Sequence, residues 1–209
     1  MQIKWLGHAS FKIKTKEMVI YVDPYAGEYD EKADLILISH EHYDHFGRDK
    51  IAEIRSDDTA ILTTDRVASE LDGAKGMRPG DIINVSNVKI EAVYAYNIGK
   101  PFHPKGNGIG FIIDAEGHRI YFSGDSDKIP EMKNIRADIV LVAVGGTYSM
   151  NRDEAAEAVL TINPKLAIPM HFGSGVVGTI EDAELFKEKV EEKSKVKVRI
   201  LEQGEEIKV

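Results

Sequence analysis

Cysteine is absent from the 209 residues, which excludes disulfides, thiolate zinc ribbons and thiol catalysis. Nor does any apolar run approach the length of a membrane span. The opening stretch MQIKWLGHASFKIKTKEMVIYVD alternates polar and apolar residues. It lacks the apolar core and small-residue cleavage site of a signal peptide, so the expectation is a cytoplasmic protein without a membrane partner. Basic residues are in short supply, with 27 Lys and Arg against 35 Asp and Glu for a net charge of -8. That balance, with no basic stripe, argues against a nucleic-acid partner. It leaves room for a small anionic substrate, because divalent metals would reverse the local sign. No Ser- or Pro-rich linker, low-complexity tract or repeat divides the chain, which predicts one domain over 1–209.

What is present reads as alternating sheet and helix. Ile3 and Trp5, then Phe11 and Ile13, then MVIYVD keep a period of two, the mark of half-buried strands. LILIS at 35–39 is continuously apolar, as a strand buried on both faces would be. Short helices are predicted over Asp49–Ile54 and Asp65–Leu71, with the strand AILTT between them. Antiparallel strands follow at Ile82–Val85, Val88–Ala95, Gly108–Asp114 and Arg119–Ser123, with DAEG as a turn. Beyond them come the strand IVLVAV, a helix over Glu154–Thr161 capped by Asn151 or Asp153, the strand KLAIPM, a helix over Ile180–Lys193 and the strand VKVRIL. Two β–α halves packed sheet to sheet account for this order.

The sharpest signal is Ser-His-Glu-His-Tyr-Asp-His over 39–45, placed where the buried strand LILIS ends. Such a point is the usual location for ligands in open α/β sheets. Chance would produce His-x-His-x-Asp-His in roughly one chain in two thousand of this composition. Residues two apart in an extended segment point the same way, so His40 and His42 can grip one metal. Asp44 and His45 can turn toward a second. Imidazole with carboxylate suits zinc, and also iron or manganese.

SHEHYDH resembles the signature of the metallo-β-lactamase superfamily, and other segments follow in that family's order. LGHASFKI and VIYVDPY are similar to its opening strands, with Asp23 matching the acidic residue behind the metal loop. YFSGDSD resembles the segment whose carboxylate, here Asp125, bridges two metals, and AIPMHFG places His171 at the last metal histidine. LGHAS, GDSD, VGGTYSMNRDEA and PMHFG are similar to a branch of small zinc-dependent hydrolases related to ascorbate-phosphate lactonases. The resemblance implies an α/β fold, the αβ/βα four-layer sandwich. One position departs from it: many members carry a metal histidine at the position of Tyr96 or Asn97. His103, in KPFHPKGNG, is the nearby substitute that would complete three imidazoles on the first metal.

The metal ligands expected are therefore His40, His42, Asp44, His45, His103, Asp125 and His171, holding two divalent ions, zinc first, with manganese or iron also fitting. Such a pair would supply an activated hydroxide to attack a carbonyl carbon or a phosphorus. Asp44 is open between ligand and proton donor. His8 either faces the metals or is a packed, hydrogen-bonded histidine. Thr147 and Tyr148, in the loop after IVLVAV, could donate to an oxyanion; the alternative is a plain glycine turn. The function expected is hydrolysis of a small ester, lactone or phosphodiester. The rivals are a nuclease on the same fold and a non-hydrolytic iron protein acting as redox centre or sensor.

Overall fold

The computed structural model describes Met1–Val209. The chain forms two compact units, Met1–Arg78 together with Leu201–Val209, and Pro79–Ile200. Each is built on one mixed, seven-stranded sheet with flanking helices. This is the α/β architecture expected above. No helix is long and apolar enough to cross a membrane.

The first unit contains β1 (Gln2–Gly7), β2 (Ser10–Lys14), β3 (Val19–Val22), β4 (Leu35–Leu37), α1 (Arg48–Ile54), β5 (Ala60–Thr64), α2 (Asp65–Ala68), β6 (Ala74–Met77) and β14 (Glu206–Lys208). Its sheet runs β14-β1-β2-β3-β4-β5-β6. The β14/β1/β2/β3 pairings are antiparallel and the β3/β4/β5/β6 pairings parallel. On one face Leu6, Tyr21, Ile36, Ile38 and Ile61 pack against Ile51 and Ile54 of α1 and Val67 of α2. Leu35 and Leu37 point the other way and are equally buried. This explains why LILIS is apolar without alternation. The second short helix stops at Ala68 rather than Leu71: from Ser69 the chain passes into turns, with the Glu70 amide bonding the Val67 carbonyl, and Gly73, with φ at +75°, leads into β6. Neither edge strand, β6 or β14, was read from sequence; AKGM and EIK are too short and too polar to show a period.

The second unit contains β7 (Ile82–Val85), β8 (Val88–Ala95), β9 (Gly108–Ala115), β10 (His118–Phe122), β11 (Ile139–Ala143), α3 (Arg152–Ile162), β12 (Leu166–Met170), α4 (Ile180–Lys193) and β13 (Lys197–Val198). Its sheet order is β13-β12-β11-β10-β9-β8-β7. The pairings from β7 to β10 are antiparallel, and those from β10 to β13 parallel. Glu116 and Gly117, both at positive φ, close the β9–β10 hairpin as a two-residue turn of that kind requires. Asn151 is the cap of α3, in a reciprocal capping box with Glu154. Helix α3 packs against α4 and β11, and α4 also against β12 and β13. The strand read as VKVRIL shrinks to Lys197–Val198, where pairing with β12 ends.

Strand direction settles where functional groups can gather. In the first unit β1, β3, β4 and β5 all run the same way, so their carboxyl ends share one end of the sheet. In the second, β8, β10, β11 and β12 do likewise. Every residue singled out for metal chemistry follows one of these carboxyl ends, as ligands do in sheets of this kind.

Candidate metal centre

In the first unit the site grows from Asp23, which follows β3. Its carboxylate is fully buried and accepts the Ser39 amide at 2.7 Å on Oδ1 and the Ser39 hydroxyl at 2.6 Å on Oδ2. His45 Nδ1 lies 2.7 Å from the same Oδ2, and His40 Nδ1 lies 2.9 Å from Ser39 Oγ. The protons can be counted. Ser39 has one hydroxyl proton and gives it to Asp23, so toward His40 its oxygen can only accept. His40 and His45 therefore both carry their proton on Nδ1, and Nε2 of each is the atom with a lone pair for a metal. A carboxylate behind a ligating imidazole is the usual arrangement in metal sites. Burial pushes the Asp23 carboxyl above its ordinary value, against the pull of His45 and Ser39.

The loop after β4 turns tightly, with the His45 and Phe46 amides both donating to the His42 carbonyl, at 3.0 and 2.9 Å. This brings the imidazoles of the motif together. The His40 ring centroid is 4.7 Å from that of His42 and 4.1 Å from that of His45. Gly47 closes the loop against Pro24, where a Cβ would lie 2.5 Å from the Pro24 carbonyl oxygen. His8, in the β1–β2 turn, is buried and places Nε2 3.1 Å from Asp44 Oδ2. Its ring thus meets a carboxylate of the motif.

In the second unit Asp125 follows β10 and His171 follows β12, with His171 Nε2 3.2 Å from Asp125 Oδ2. His103 Nε2 approaches the same oxygen at 3.6 Å. Two buried imidazoles thus face one carboxylate oxygen. His103 Nδ1 is held by Asn97 Oδ1 at 3.1 Å and by the Tyr148 carbonyl at 3.0 Å. A carbonyl only accepts, so here too the proton is on Nδ1 and the lone pair on Nε2. Gly145 packs on His171, where a Cβ would meet the His171 carbonyl oxygen at 2.7 Å and Nδ1 at 2.8 Å. That glycine makes room for the histidine. Thr147 is exposed, and Tyr148 turns its carbonyl to His103 and Asn97 while its ring meets Phe102 edge-on at 4.7 Å.

The donor set is nitrogen and carboxylate oxygen with no thiolate, mostly buried, which fits zinc, manganese or iron. The backbone adds a further mark. His8, Asp23 and His171 are three of the six non-glycine residues at positive φ, at 52°, 44° and 65°. Such conformations persist where the surroundings over-determine them, often at functional sites.

Sequence reasoning missed the role of Ser39, and it treated Asn97 only as the place where a histidine is lacking. Lys100, close to His103 in sequence, bonds Asp127 and the Gly146 and Ser149 carbonyls. Lys105 bonds Glu131 and sits over the rings of Tyr94 and Tyr96. A serine after an apolar strand and an asparagine after another carry no period or motif, so no signal at the level of sequence marks them.

Comparison with known proteins agrees with this geometry. The family model described as "Beta-lactamase superfamily domain" matches residues 2–171, which places the chain among metallo-β-lactamase-fold proteins. A UPF0173 metal-dependent hydrolase of Methanosarcina barkeri is 32% identical over 99% of this chain and 98% of its own. The crystal structure of a candidate metal-dependent hydrolase from Parabacteroides distasonis superimposes with a TM-score of 0.85 at 33% identity, covering 95% of this chain and 91% of that one. A candidate zinc-dependent hydrolase of the metallo-β-lactamase superfamily from Thermotoga maritima gives a TM-score of 0.61 at 26% identity, covering 87% and 82%. The chain belongs to the UPF0173 metal-dependent hydrolase family.

Proposed function

We propose that the chain hydrolyses a small ester, lactone or phosphodiester with two divalent metal ions, zinc first, held by His40, His42, Asp44, His45, His103, Asp125 and His171. The observation that carries this reading is the common anchoring of His40, His45 and His103 through Nδ1, each against an oxygen that accepts, which reserves Nε2 for a cation. When bound, the metal pair supplies a hydroxide nucleophile at neutral pH and a seat for developing negative charge. His8 holds one oxygen of Asp44 and leaves the other for a ligand or proton role, so His8 acts as a positioning residue. Thr147, exposed on the loop after β11, and the Tyr148 hydroxyl are the groups offered to an oxyanion. The similarity of LGHAS, GDSD and PMHFG to hydrolases related to ascorbate-phosphate lactonases favours a compact, oxygen-rich substrate. The net charge of -8 favours a small molecule over a nucleic acid.

Elemental analysis with a panel of bis-p-nitrophenyl phosphate, p-nitrophenyl esters and lactones tests the reading. Near two zinc or manganese per chain with turnover of one bond class is expected, and His42→Ala or Asp125→Ala should remove both metal and turnover. Iron without turnover of any member would replace this reading with a redox or sensory one.

A further inference from the structure

Asn97 stands at the end of β8, where the resembling family carries a ligand, and it bonds on both sides. Its amide nitrogen donates to Asp127 Oδ1 at 3.1 Å and to the Tyr148 carbonyl at 2.8 Å. Both partners only accept, which fixes the amide's orientation. Its oxygen therefore faces His103, taking the His103 backbone amide at 3.0 Å and lying 3.1 Å from Nδ1.

Behind Asn97 stands a charged pair. Asp127 Oδ2 accepts the Ile98 amide at 2.7 Å, and Oδ1 accepts Lys100 Nζ at 2.7 Å. The same ammonium reaches the Gly146 and Ser149 carbonyls at 3.1 and 2.8 Å. All three of its protons have acceptors. Lys100 thereby ties the loop that carries His103 to the loop after β11, whose Tyr148 carbonyl also holds His103. Asn97, His103 and Asp127 are all less than a tenth exposed, so water does not compete freely for these bonds.

We propose that Asn97 is the positioning residue of the metal ligand His103, setting its tautomer and aim, with Asp127 and Lys100 fixing Asn97 in turn. The inference rests on the reading of His103 as a ligand given above. In it, a residue in a ligand's usual place has become the support of a ligand six positions on.

Two readouts test it separately. Long-range nitrogen-15 NMR of the metal-free protein reads imidazole tautomers, with the His103 signal assigned by its loss in His103→Ala. Wild type should show His103 as the Nδ1–H tautomer, and Asn97→Ala, which leaves only the Tyr148 carbonyl on Nδ1, should admit a share of the Nε2–H form. Competition with a chromophoric chelator then reads zinc affinity at each site. Asn97→Ala should weaken one zinc about 10–100-fold, as loss of a ligand's support does elsewhere. Lys100→Met should act in the same direction by a smaller factor. An Nε2–H tautomer in wild type, or unchanged tautomer and affinity in Asn97→Ala, would overturn the proposal. So would His103→Ala that binds two zinc ions as tightly as wild type. Wild type that binds no zinc, yet shows the tautomer lost in Asn97→Ala, would remove the hydrolase reading and leave the Asn97–His103 relation standing.

Discussion

Asp23 Oδ2 lies 2.7 Å from His45 Nδ1 and accepts the Ser39 hydroxyl at 2.6 Å, so one buried carboxylate sets the tautomer of two imidazoles, His45 directly and His40 through Ser39. Asp23→Asn should undo this while keeping the backbone, since asparagine tolerates the positive φ found there. An amide nitrogen facing His45 would donate where a carboxylate accepts, moving the imidazole proton to Nε2. Zinc affinity should fall about 10–100-fold, with a smaller loss for Ser39→Ala, both read by chelator competition. Equal affinity in Asp23→Asn and wild type would show that Asp23 has no part in the metal site.

Gly145 should not tolerate a side chain, although its φ is an ordinary one. The added methyl of Gly145→Ala meets His171 at its carbonyl and ring. A cost of about 1–3 kcal/mol is expected for such overpacking, along with weaker metal binding as His171 shifts. Gly80→Ala is the comparison, since nothing lies near its Cβ although its φ is positive. Urea unfolding should show a loss of stability in both variants, Gly80→Ala through backbone strain alone, and only Gly145→Ala should lose metal.

Metal should stabilise the fold. Ligand that binds only the native state adds about 2.7 kcal/mol at a hundred times its Kd. For a chain of this length that is roughly 5–10 °C in the unfolding midpoint. Thermal scans with chelator and with added zinc should differ by this order in wild type, and His42→Ala should show a smaller gap. Coincident scans for wild type would count against a tight site.

Acid should weaken a different part of the first unit. Lys12, almost wholly buried, bonds Asp30 at 2.6 Å and Glu31 at 2.5 Å. The bond from Lys12 holds the Asp30 carboxyl below its ordinary value, and bonds from Lys12 and Lys14 do the same for Glu31. A depressed carboxyl contributes stability that is present above its ordinary pKa, 3.8 for Asp30 and 4.5 for Glu31. That contribution is lost as pH falls through the folded value. Both carboxylates are well solvated, so the effect should stay under about 1 kcal/mol. Urea midpoints at pH 6 and pH 3 should fall further apart for wild type than for Lys12→Met; a larger fall in the variant would contradict the assignment.

Most of this was legible in the chain itself. The spacing of His40, His42, Asp44 and His45 after an apolar run marked a candidate metal loop, because ligand geometry demands particular residues at short range and a strand end to display them. The alternation of β8 and the capped stripe of α3 were equally plain, since burial of one face writes a period into the sequence. Edge strands β6 and β14 left no such trace, because a strand of three or four residues pairs chiefly through its backbone.

Only the tertiary structure decided the partnerships. That Ser39 relays Asp23 to His40, that Asn97 meets His103, and that Lys100 is bound within the protein all depend on atoms brought within 3 Å or so by the way loops and strand ends fold together. A hydrogen bond needs direction and distance as well as a donor and an acceptor. The order of residues supplies the groups, and the sheet's register and strand direction choose which of them meet.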